Sequence, residues 1–333
     1  MRPIKHLWIA YSEKVFQEGE ERYYQNRPDL RGRTLTLIED ALKEDGWEVK
    51  KLNVDKPLGE LVNLLTQERI DLVFNLAVCA SEIYDQALVP SILDSLKIPY
   101  LGSNSVVHSL CLDRAFSKLS LRGIGVPTPS SFLWSPKEEW PSNIDFPVIV
   151  KPRFRTYLHA PTLESIVNDQ EALQAQAEQT YQETRERVLL EKYLEGREIV
   201  VGLWGNSKEL SILPLLEVNV SKEKPIRDLE IKNRKGYVED AVCPANLPPE
   251  HQAQIEKSAE KVFRELYMHD YATFHVLFSE KDQIPFFFEL NSLPLLHFQH
   301  SAFPEMCVAA GIDYPTMVQK LVRIAQERID FHD

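Results

Sequence analysis

Apolar strands and amphipathic helices alternate along the first third of the chain, and this pattern limits the folds open to it. The alternating segments are a strand at 4–10, a helix at 30–45, a strand at 47–52, a helix at 60–69, a strand at 70–76 and a helix at 84–96. Strands joined through helices by short links pair in parallel, and helices then cover both faces of the sheet. We therefore predict an α/β fold with its ligand site beyond the strand ends at Ala10 and Leu76.

The pattern changes at residue 113, where hairpin-like strands and isolated helices replace the regular alternation. Helices are predicted at 114–123, 169–185, 249–267 and 315–328. Strands are predicted at 148–152, 199–204, 210–218, 272–278 and 284–290. The charged stretch 221–240 shows only weak periodicity and is interpreted as a long loop. A chain of 333 residues is long enough for two or three packed lobes.

Charge and cysteine content restrict the class of protein. The chain has 38 Lys and Arg residues against 50 Asp and Glu residues, a formal net charge of −12, so we predict no nucleic-acid partner and expect any anionic ligand to need clustered cations. No apolar run approaches the ~20 residues of a membrane span, and the first residues lead into a strand rather than a cleavable signal, which predicts a cytoplasmic protein with no membrane partner. The cysteines include no C-x-x-C pair and are interpreted as reduced thiols: Cys79, Cys111, Cys243 and Cys307.

Polar residues at strand ends are candidates for a functional site. Glu289 and Asn291 follow three phenylalanines and share one strand face, because side-chain direction alternates along a strand. Two oxygen donors at a dry strand end suit Mg²⁺ when phosphate oxygens complete the coordination. The metal interpretation outweighs a plain edge strand only if cations for a phosphate lie elsewhere, and Lys151, Lys232 and Arg114 are available. Each of these charges taken alone is more often a solvated surface charge than part of a phosphate site.

Nine short stretches occur in the order and with the spacing found in one known family. They are DLVFN (71–75), IPYLGS (98–103), GVPTP (125–129), FPVIVKP (146–152), LEKYLEGRE (190–198), CPA (243–245), ELNSLP (289–294), HSAFP (300–304) and AGIDYP (310–315). With these stretches the chain resembles the ATP-grasp superfamily, in particular the D-alanine–D-alanine ligases, over nearly its whole length.

The resemblance implies a three-lobe fold with ATP between the second and third lobes. The lobes would be an N-terminal parallel-sheet domain at 1–112, a central lobe at 113–198 and a C-terminal lobe at 199–333. Carried over by position, the ATP phosphates would be held by Arg114, Lys151 and Lys232, the adenine by backbone groups of Glu191, Lys192, Tyr193 and Leu194, and the ribose hydroxyls by Glu198. Glu289 and Asn291 would bind Mg²⁺, and Ser301 would contact the second substrate. A homodimer formed through the N-terminal lobe is also implied.

The implied reaction joins a small carboxylate to a small amine. Oxide is a very poor leaving group, so the carboxylate is first phosphorylated by ATP, and the amine then attacks the acyl phosphate. Phosphoryl transfer depends on positioning and on neutralising negative charge, which cations and Mg²⁺ supply. No covalent enzyme nucleophile is needed.

The chain departs from the family at the catalytic centre. His275 aligns with the usual aspartate metal ligand, and Thr273 aligns with an arginine that stabilises the oxyanion. We interpret His275 either as a metal ligand, for which Mn²⁺ becomes possible beside Mg²⁺, or as a core histidine. The phosphate-covering segment 153–160 lacks glycine, and its Arg153 and Arg155 either replace backbone contacts to phosphate or face solvent.

These departures leave two hypotheses open. In the first, the protein is an ATP-dependent carboxylate–amine ligase whose substrate is not D-alanine, with a more aromatic acceptor site around Tyr84, His297 and Phe298. In the second, it is a degenerate ATP-grasp protein that binds a nucleotide or a partner without ligating. Because the nucleotide and metal positions are retained together, we favour the ligase.

Overall fold

The computed structural model describes residues 5–23, 28–78, 85–155, 162–206, 209–218 and 241–332. Within these ranges the strands form three sheets that follow one another along the chain. None of the helices in the described ranges is long and apolar enough to cross a bilayer. Cys111, Cys243 and Cys307 are free thiols, and Cys79 lies outside the described residues.

The first sheet is parallel and covered on both faces, which confirms the predicted α/β arrangement. Its strands β1 (Lys5–Tyr11), β2 (Trp47–Asn53) and β3 (Leu72–Leu76) lie in the order β2-β1-β3. The surrounding helices are α1 (Glu13–Tyr23), α2 (Arg33–Glu44), α3 (Leu58–Gln67) and α4 (Asp85–Leu96). Leu7 and Ile9 face one hydrophobic cluster, and Trp8 and Ala10 face another. The alternation places apolar side chains on both sides, so the sheet is buried between helices.

Helix ends in this part follow from local chemistry. The predicted helix 30–45 begins only at Arg33, because residues Pro28–Leu30 form a separate 3-10 turn and Gly32 adopts a left-handed conformation with φ of 72°. Helix α1 and the helix after α4, α5 (Ser105–Leu112), were not predicted. Helix α6 (Arg114–Gly123) begins where predicted, since the Asp113 carboxylate accepts hydrogen bonds from the first amides of the helix.

The second sheet is antiparallel and packs against one helix. Its strands are β4 (Ser131–Trp134), β5 (Val148–Pro152), β6 (Ile166–Val167) and β7 (Val188–Lys192), in the order β4-β7-β5-β6. A 3-10 turn, Leu163–Ser165, precedes β6. Helix α7 (Gln170–Thr184) is capped by Asp169 and ends at Arg185, which has a positive φ. The helix predicted over 169–185 is therefore confirmed to within its two caps.

The third sheet is also antiparallel. Its strands are β8 (Arg197–Trp204), β9 (Ser211–Ile212), β10 (Leu216–Val218), β11 (Ala241–Val242), β12 (Tyr271–Ser279) and β13 (Ile284–Asn291), in the order β11-β10-β8-β12-β13 with β9 paired to β8. The predicted hairpin strand 210–218 forms two short strands, both paired with β8. The predicted loop 221–240 lies outside the described residues.

Helices cover both faces of the third sheet. Helix α8 (Pro249–Glu265) packs on one face; α9 (Ala302–Ala309) and α10 (Tyr314–His332) pack on the other. Helix α9 was not predicted, and α10 continues beyond residue 328. The division into lobes at residues 112 and 198 stays a prediction; strand β8 begins at Arg197.

A buried carboxylate joins the first part of the chain to the last. Asp270 is fully buried and accepts hydrogen bonds from Gly102 N (2.7 Å) and from the Arg328 guanidinium (2.9 Å at each oxygen). Arg328 also donates to Tyr100 O at 2.7 Å. Asn206 donates to the same carboxylate. The network therefore ties the segment after β3 to β12, to the end of β8 and to α10.

We expect Arg328→Met to lower the free energy of unfolding by about 3 kcal/mol, because Asp270 would keep a buried charge without its counter-ion. Urea unfolding followed by circular dichroism measures the change. Arg323→Met is the matched control on the same helix: the Arg323 side chain is 61% exposed, against 16% for Arg328, and its ion pair with Asp45 lies at the surface. The control should cost less than about 1 kcal/mol. Equal effects of the two variants would contradict the prediction.

Candidate functional site

Strand pairing places four of the candidate residues on one face of the third sheet. His275 lies opposite Glu289, and Thr273 lies opposite Asn291, in the register of β12 with β13. Strand β8 pairs with the other edge of β12, and its Glu198 lies opposite Leu277 of β12. Directly opposed residues point to the same face, and direction alternates along each strand. Glu198, His275, Glu289 and Asn291 therefore share the face on which Thr273 also lies.

A β-bulge leaves one aromatic residue of this sheet, Phe288, without a directly opposed residue in β12. The register changes from His275 opposite Glu289 to Val276 opposite Phe287, which leaves Phe288 as the extra residue. The Phe288 ring lies 5.9 Å from the His275 ring, and Lys151 Nζ lies 5.6 Å from the Phe288 ring centroid. Phe288 thus links the sheet that carries the oxygen donors to the strand that ends in Lys151.

Two lysines share one buried carboxylate beside Phe288. Lys151 Nζ lies 2.7 Å from Glu191 Oε1, and Lys118 Nζ lies 2.5 Å from Glu191 Oε2. Strands β5 and β7 set the first contact, since Ile149 lies opposite Glu191. Lys118 also donates to Thr128 Oγ1 at 3.1 Å. We name Lys118, Lys151 and Glu191 the lysine–glutamate cluster; it carries one net positive charge.

Burial shifts the ionisation of this cluster. Burial lowers the pKa of the Lys118 ammonium to about 8, and the attraction of Glu191 opposes that change only in part. Burial raises the pKa of Glu191, but the two ammonium groups outweigh it and hold that pKa below its ordinary value. The carboxylate therefore stays ionised, while Lys118 is the group whose charge changes near neutral pH.

Lys118 was not singled out from the sequence, although a signal for it exists. It lies four residues after Arg114 in α6, and residues at this spacing share one helix face. Its side chain is 1% exposed. Because Arg114 was already a candidate for phosphate binding, the helical spacing alone would have justified adding Lys118 to the candidates.

The arginines around β5 bind groups of the protein itself. Arg114 is buried, and its Nη1 donates to Pro152 O at 2.9 Å and to Phe154 O at 2.8 Å. Arg153 binds Asp113 Oδ2 through Nε at 2.9 Å and Nη2 at 2.6 Å. The start of the segment 153–160 is therefore clamped to the beginning of α6; the rest of that segment lies outside the described residues.

Arg155 reaches across to the third sheet. Its Nη2 lies 3.2 Å from Glu289 Oε1, which is one of the two predicted Mg²⁺ ligands. Both Arg153 and Arg155 are paired with carboxylates, so neither side chain points only into solvent. Neither contact tests whether these arginines bind phosphate.

The residues predicted to surround adenine lie where β7 ends. Tyr193 N donates to Pro147 O at 3.0 Å, and Lys192 Nζ donates to Phe146 O at 2.8 Å. Leu194 is half-buried beside them. Burial raises the pKa of the Tyr193 hydroxyl. Residues 192–194 directly follow the buried Glu191 in the chain. The residues predicted to bind adenine therefore lie at the same strand end as the lysine–glutamate cluster.

Glu289 and Asn291 fit Mg²⁺ only together with phosphate. Among the residues that the structure describes, no group of three or more His, Cys, Asp or Glu side chains is placed to hold a metal ion. Asn291 Oδ1 accepts a hydrogen bond from Leu293 N at 3.2 Å, which fixes its amide at the strand end. A carboxylate and an amide oxygen from the protein, completed by phosphate oxygens, form the usual magnesium arrangement. His275 Nδ1 is bound to Glu198 Oε1 at 2.9 Å.

Comparison with known proteins decides the family. Residues 133–323 match the family model described as D-ala D-ala ligase C-terminus. The chain is 30% identical over 330 residues to a protein of Sinorhizobium fredii named Uncharacterized protein y4sG, covering 96% of this chain and 95% of that one. The chain belongs to the ATP-grasp D-alanine–D-alanine ligase-like family. The resemblance seen in nine short stretches is thereby confirmed.

Ligases and their structures give the same answer. The D-alanine–D-alanine ligase of Desulforudis audaxviator is 29% identical over 293 residues, which is 86% of this chain and 91% of that one. The crystal structure of D-alanine–D-alanine ligase from Bacillus anthracis complexed with ATP has a TM-score of 0.75 at 20% identity and covers 99% of both chains. That of VanG D-Ala:D-Ser ligase from Enterococcus faecalis has a TM-score of 0.73 at 15% identity, covering 97% of this chain and 99% of that chain. At these identities the structures show the fold, and the predicted ATP-grasp fold is confirmed.

Ser301, predicted to contact the second substrate, lies beside a loop that carries two aromatic residues, His297 and Phe298. Ser301 Oγ accepts a hydrogen bond from His297 N at 3.1 Å. The buried His297 ring lies 5.1 Å from the Phe16 ring, and burial lowers the pKa of His297 to about 3. Phe298 N donates to Thr34 Oγ1 at 3.3 Å, so this loop packs against the N-terminal helices. Tyr84 and Lys232 lie outside the described residues.

The lysine–glutamate cluster yields a stability prediction. Glu191→Gln would leave two buried ammonium groups facing each other, and we expect it to lower the free energy of unfolding by about 3 kcal/mol. Adding Lys118→Met removes one of the like charges, and the double variant should be more stable than Glu191→Gln alone. Glu138→Gln, which disrupts an exposed ion pair with Arg187, is the control and should cost less than about 1 kcal/mol. Urea unfolding of the four proteins measures these differences, and a double variant no more stable than the single would contradict the cluster's assignment.

Proposed function

We propose that the protein is an ATP-dependent carboxylate–amine ligase that forms an amide bond through an acyl phosphate and acts on a substrate other than D-alanine. One observation carries this proposal: the lysine–glutamate cluster and the oxygen donors Glu289 and Asn291 lie on the two sides of Phe288. Positive charge for phosphate and oxygen ligands for Mg²⁺ thus lie next to each other where the second and third sheets meet. Family membership supports ATP as the phosphoryl donor.

In the proposed reaction, a carboxylate oxygen of the first substrate attacks the γ-phosphorus of ATP, and ADP leaves. The nitrogen of the second substrate then attacks the acyl carbon, phosphate leaves, and the nitrogen loses a proton. Lys151 would hold phosphate oxygens, since its Nζ is the less buried ammonium of the cluster. Glu289 and Asn291 would hold Mg²⁺, which when bound would neutralise phosphate charge. Glu198 would accept hydrogen bonds from the ribose hydroxyls, and Lys232 and Ser301 keep the roles that the family resemblance implies.

The substrate proposal follows from the second-substrate region. His297, whose main chain binds Ser301 Oγ, packs its ring 5.1 Å from the Phe16 ring, and it stays neutral at physiological pH because burial lowers its pKa to about 3. A neutral aromatic wall favours a substrate with an apolar or aromatic side chain over one as small as alanine. We therefore propose that at least one of the joined molecules carries such a side chain.

One observation favours a second candidate function, a nucleotide-binding protein that does not ligate. Arg155 is paired with Glu289, and the family's oxyanion-stabilising arginine is replaced by the uncharged Thr273. An arginine on the metal carboxylate competes with Mg²⁺ for the same oxygen atoms. Substrate-dependent release of ADP distinguishes the two functions.

The ligase proposal predicts two measurements. ATP with Mg²⁺ should raise the melting temperature, and ADP release should require both a carboxylate and an amine from a panel that includes aromatic amino acids. Glu289→Gln should reduce ADP release by at least about a hundredfold, because the remaining amide oxygens bind Mg²⁺ weakly. Glu260→Gln, on the exposed face of α8, is the matched control and should leave both measurements unchanged. ATP binding without substrate-dependent ADP release over the whole panel would favour the second candidate, and absence of ATP binding would refute both.

Affinity for ATP should fall as pH rises through about 8, the pKa to which burial lowers the Lys118 ammonium. Below that pH Lys118 is charged and the cluster has one net positive charge; above it the cluster is neutral and attracts phosphate less strongly in the low-dielectric cleft. Isothermal titration calorimetry between pH 7 and pH 9.5 measures the change. Lys118→Met should bind ATP more weakly at pH 7 and lose affinity less steeply with pH. Parallel profiles for the two proteins would show that another group titrates.

A further inference from the structure

His275 and Glu198 form a buried pair in the middle of the site face. Their side chains are 8% and 17% exposed, and Nδ1 lies 2.9 Å from Oε1. The pairing of β8 with β12 places them there, because His275 lies opposite Val200 and Leu277 lies opposite Glu198. Glu198 is therefore two residues along β8 from the residue opposite His275, and both side chains point to the same face, so the imidazole and the carboxylate lie side by side. The Phe288 ring, 5.9 Å away, shields the imidazole from the lysine–glutamate cluster.

We propose that His275 is a positioning residue for nucleotide binding: it holds one oxygen of Glu198 so that the other oxygen faces the ribose hydroxyls of ATP. This inference rests on the proposed function, which gives Glu198 its ribose contact. A glutamate side chain has three rotatable bonds, and fixing it before the ligand arrives removes an entropic cost of binding. A hydrogen bond from imidazole Nδ1 to Oε1 fixes the carboxylate in this way and requires the proton to be on Nδ1.

The competing role for His275 is metal binding through its other ring nitrogen. A metal-bound histidine also commonly donates its second nitrogen to a carboxylate, so the pair with Glu198 is compatible with that role. The neighbouring donors argue against it. Glu289 and Asn291 supply the oxygen ligands of the proposed Mg²⁺ site, and hard Mg²⁺ prefers oxygen to imidazole nitrogen. The hydrogen bond to Glu198 is therefore the role that this site leaves to His275.

Two substitutions separate these roles, because the amide of asparagine lies closer to the main chain than the amide of glutamine. His275→Asn puts an amide nitrogen at the position of Nδ1 and keeps a donor for Glu198. His275→Gln puts its amide near Nε2, loses that donor and keeps an atom able to bind a metal. Affinity for ATP and for 2′,3′-dideoxy-ATP is measured for both variants and the wild type by isothermal titration calorimetry in excess Mg²⁺.

We expect His275→Asn to bind ATP within about threefold of the wild type and His275→Gln to bind it about tenfold more weakly, the loss typical of one hydrogen bond to a charged group. Neither variant should change affinity for the dideoxy nucleotide, which lacks the ribose hydroxyls. A merely structural role of His275 would weaken binding of both nucleotides alike. The Mg²⁺ concentration needed for half of the ATP-induced thermal shift should be the same in all three proteins.

Three results would overturn the inference. These are equal ATP affinity of His275→Gln and the wild type, equal losses for ATP and dideoxy-ATP, and a higher Mg²⁺ requirement in His275→Asn than in His275→Gln. If the wild type binds no ATP, the proposed function itself fails. If the wild type binds ATP but the variants keep its preference for ATP over dideoxy-ATP, only the inference about His275 fails. Should either His275 variant fail to fold, His275→Ala tests the same contact: without the donor it should bind ATP about tenfold more weakly than the wild type and dideoxy-ATP equally well.

Discussion

The site depends on keeping positive charge buried in an acidic protein. A lysine loses hydration when buried, and the loss is offset only by a nearby carboxylate with good geometry. Glu191 offsets two lysines at once, at 2.7 and 2.5 Å. One positive charge is left over in a region of low dielectric constant, where it acts on an anionic ligand more strongly than at the surface.

The architecture supplies that charge by bringing distant segments together. Lys118 comes from α6, Lys151 from β5 and Glu191 from β7, while Glu289 and Asn291 end β13 in another sheet. The Asp270 network holds the N-terminal segment after β3 against α10 and so joins the first part of the chain to the third sheet. The bulge that leaves Phe288 unpaired then brings an aromatic ring between the two sheets. The contact between the Lys151 ammonium and the Phe288 ring is thus both a packing contact and an electrostatic one.

Much of the fold could be predicted from local patterns. The parallel sheet followed from strand–helix alternation, and α6 and α7 followed from capping by Asp113 and Asp169. Helices α1, α5 and α9 were missed; α5 and α9 have only eight residues each, and helices so short depend on tertiary packing. Family membership followed from the order of nine stretches, each of them weak alone.

The sequence by itself determined the chemical groups available and the family to which the chain belongs, because residue types and their order are properties of the chain. It also determined that Glu289 and Asn291 share a face, since period-two alternation is local. Only the tertiary structure decided which charges pair. Lys151 with Glu191, Arg155 with Glu289 and His275 with Glu198 are separated widely in the chain, and their energies depend on distances set by strand register and burial. Such distances are not encoded in any short segment, which is why the partner of His275 became visible only in the folded protein.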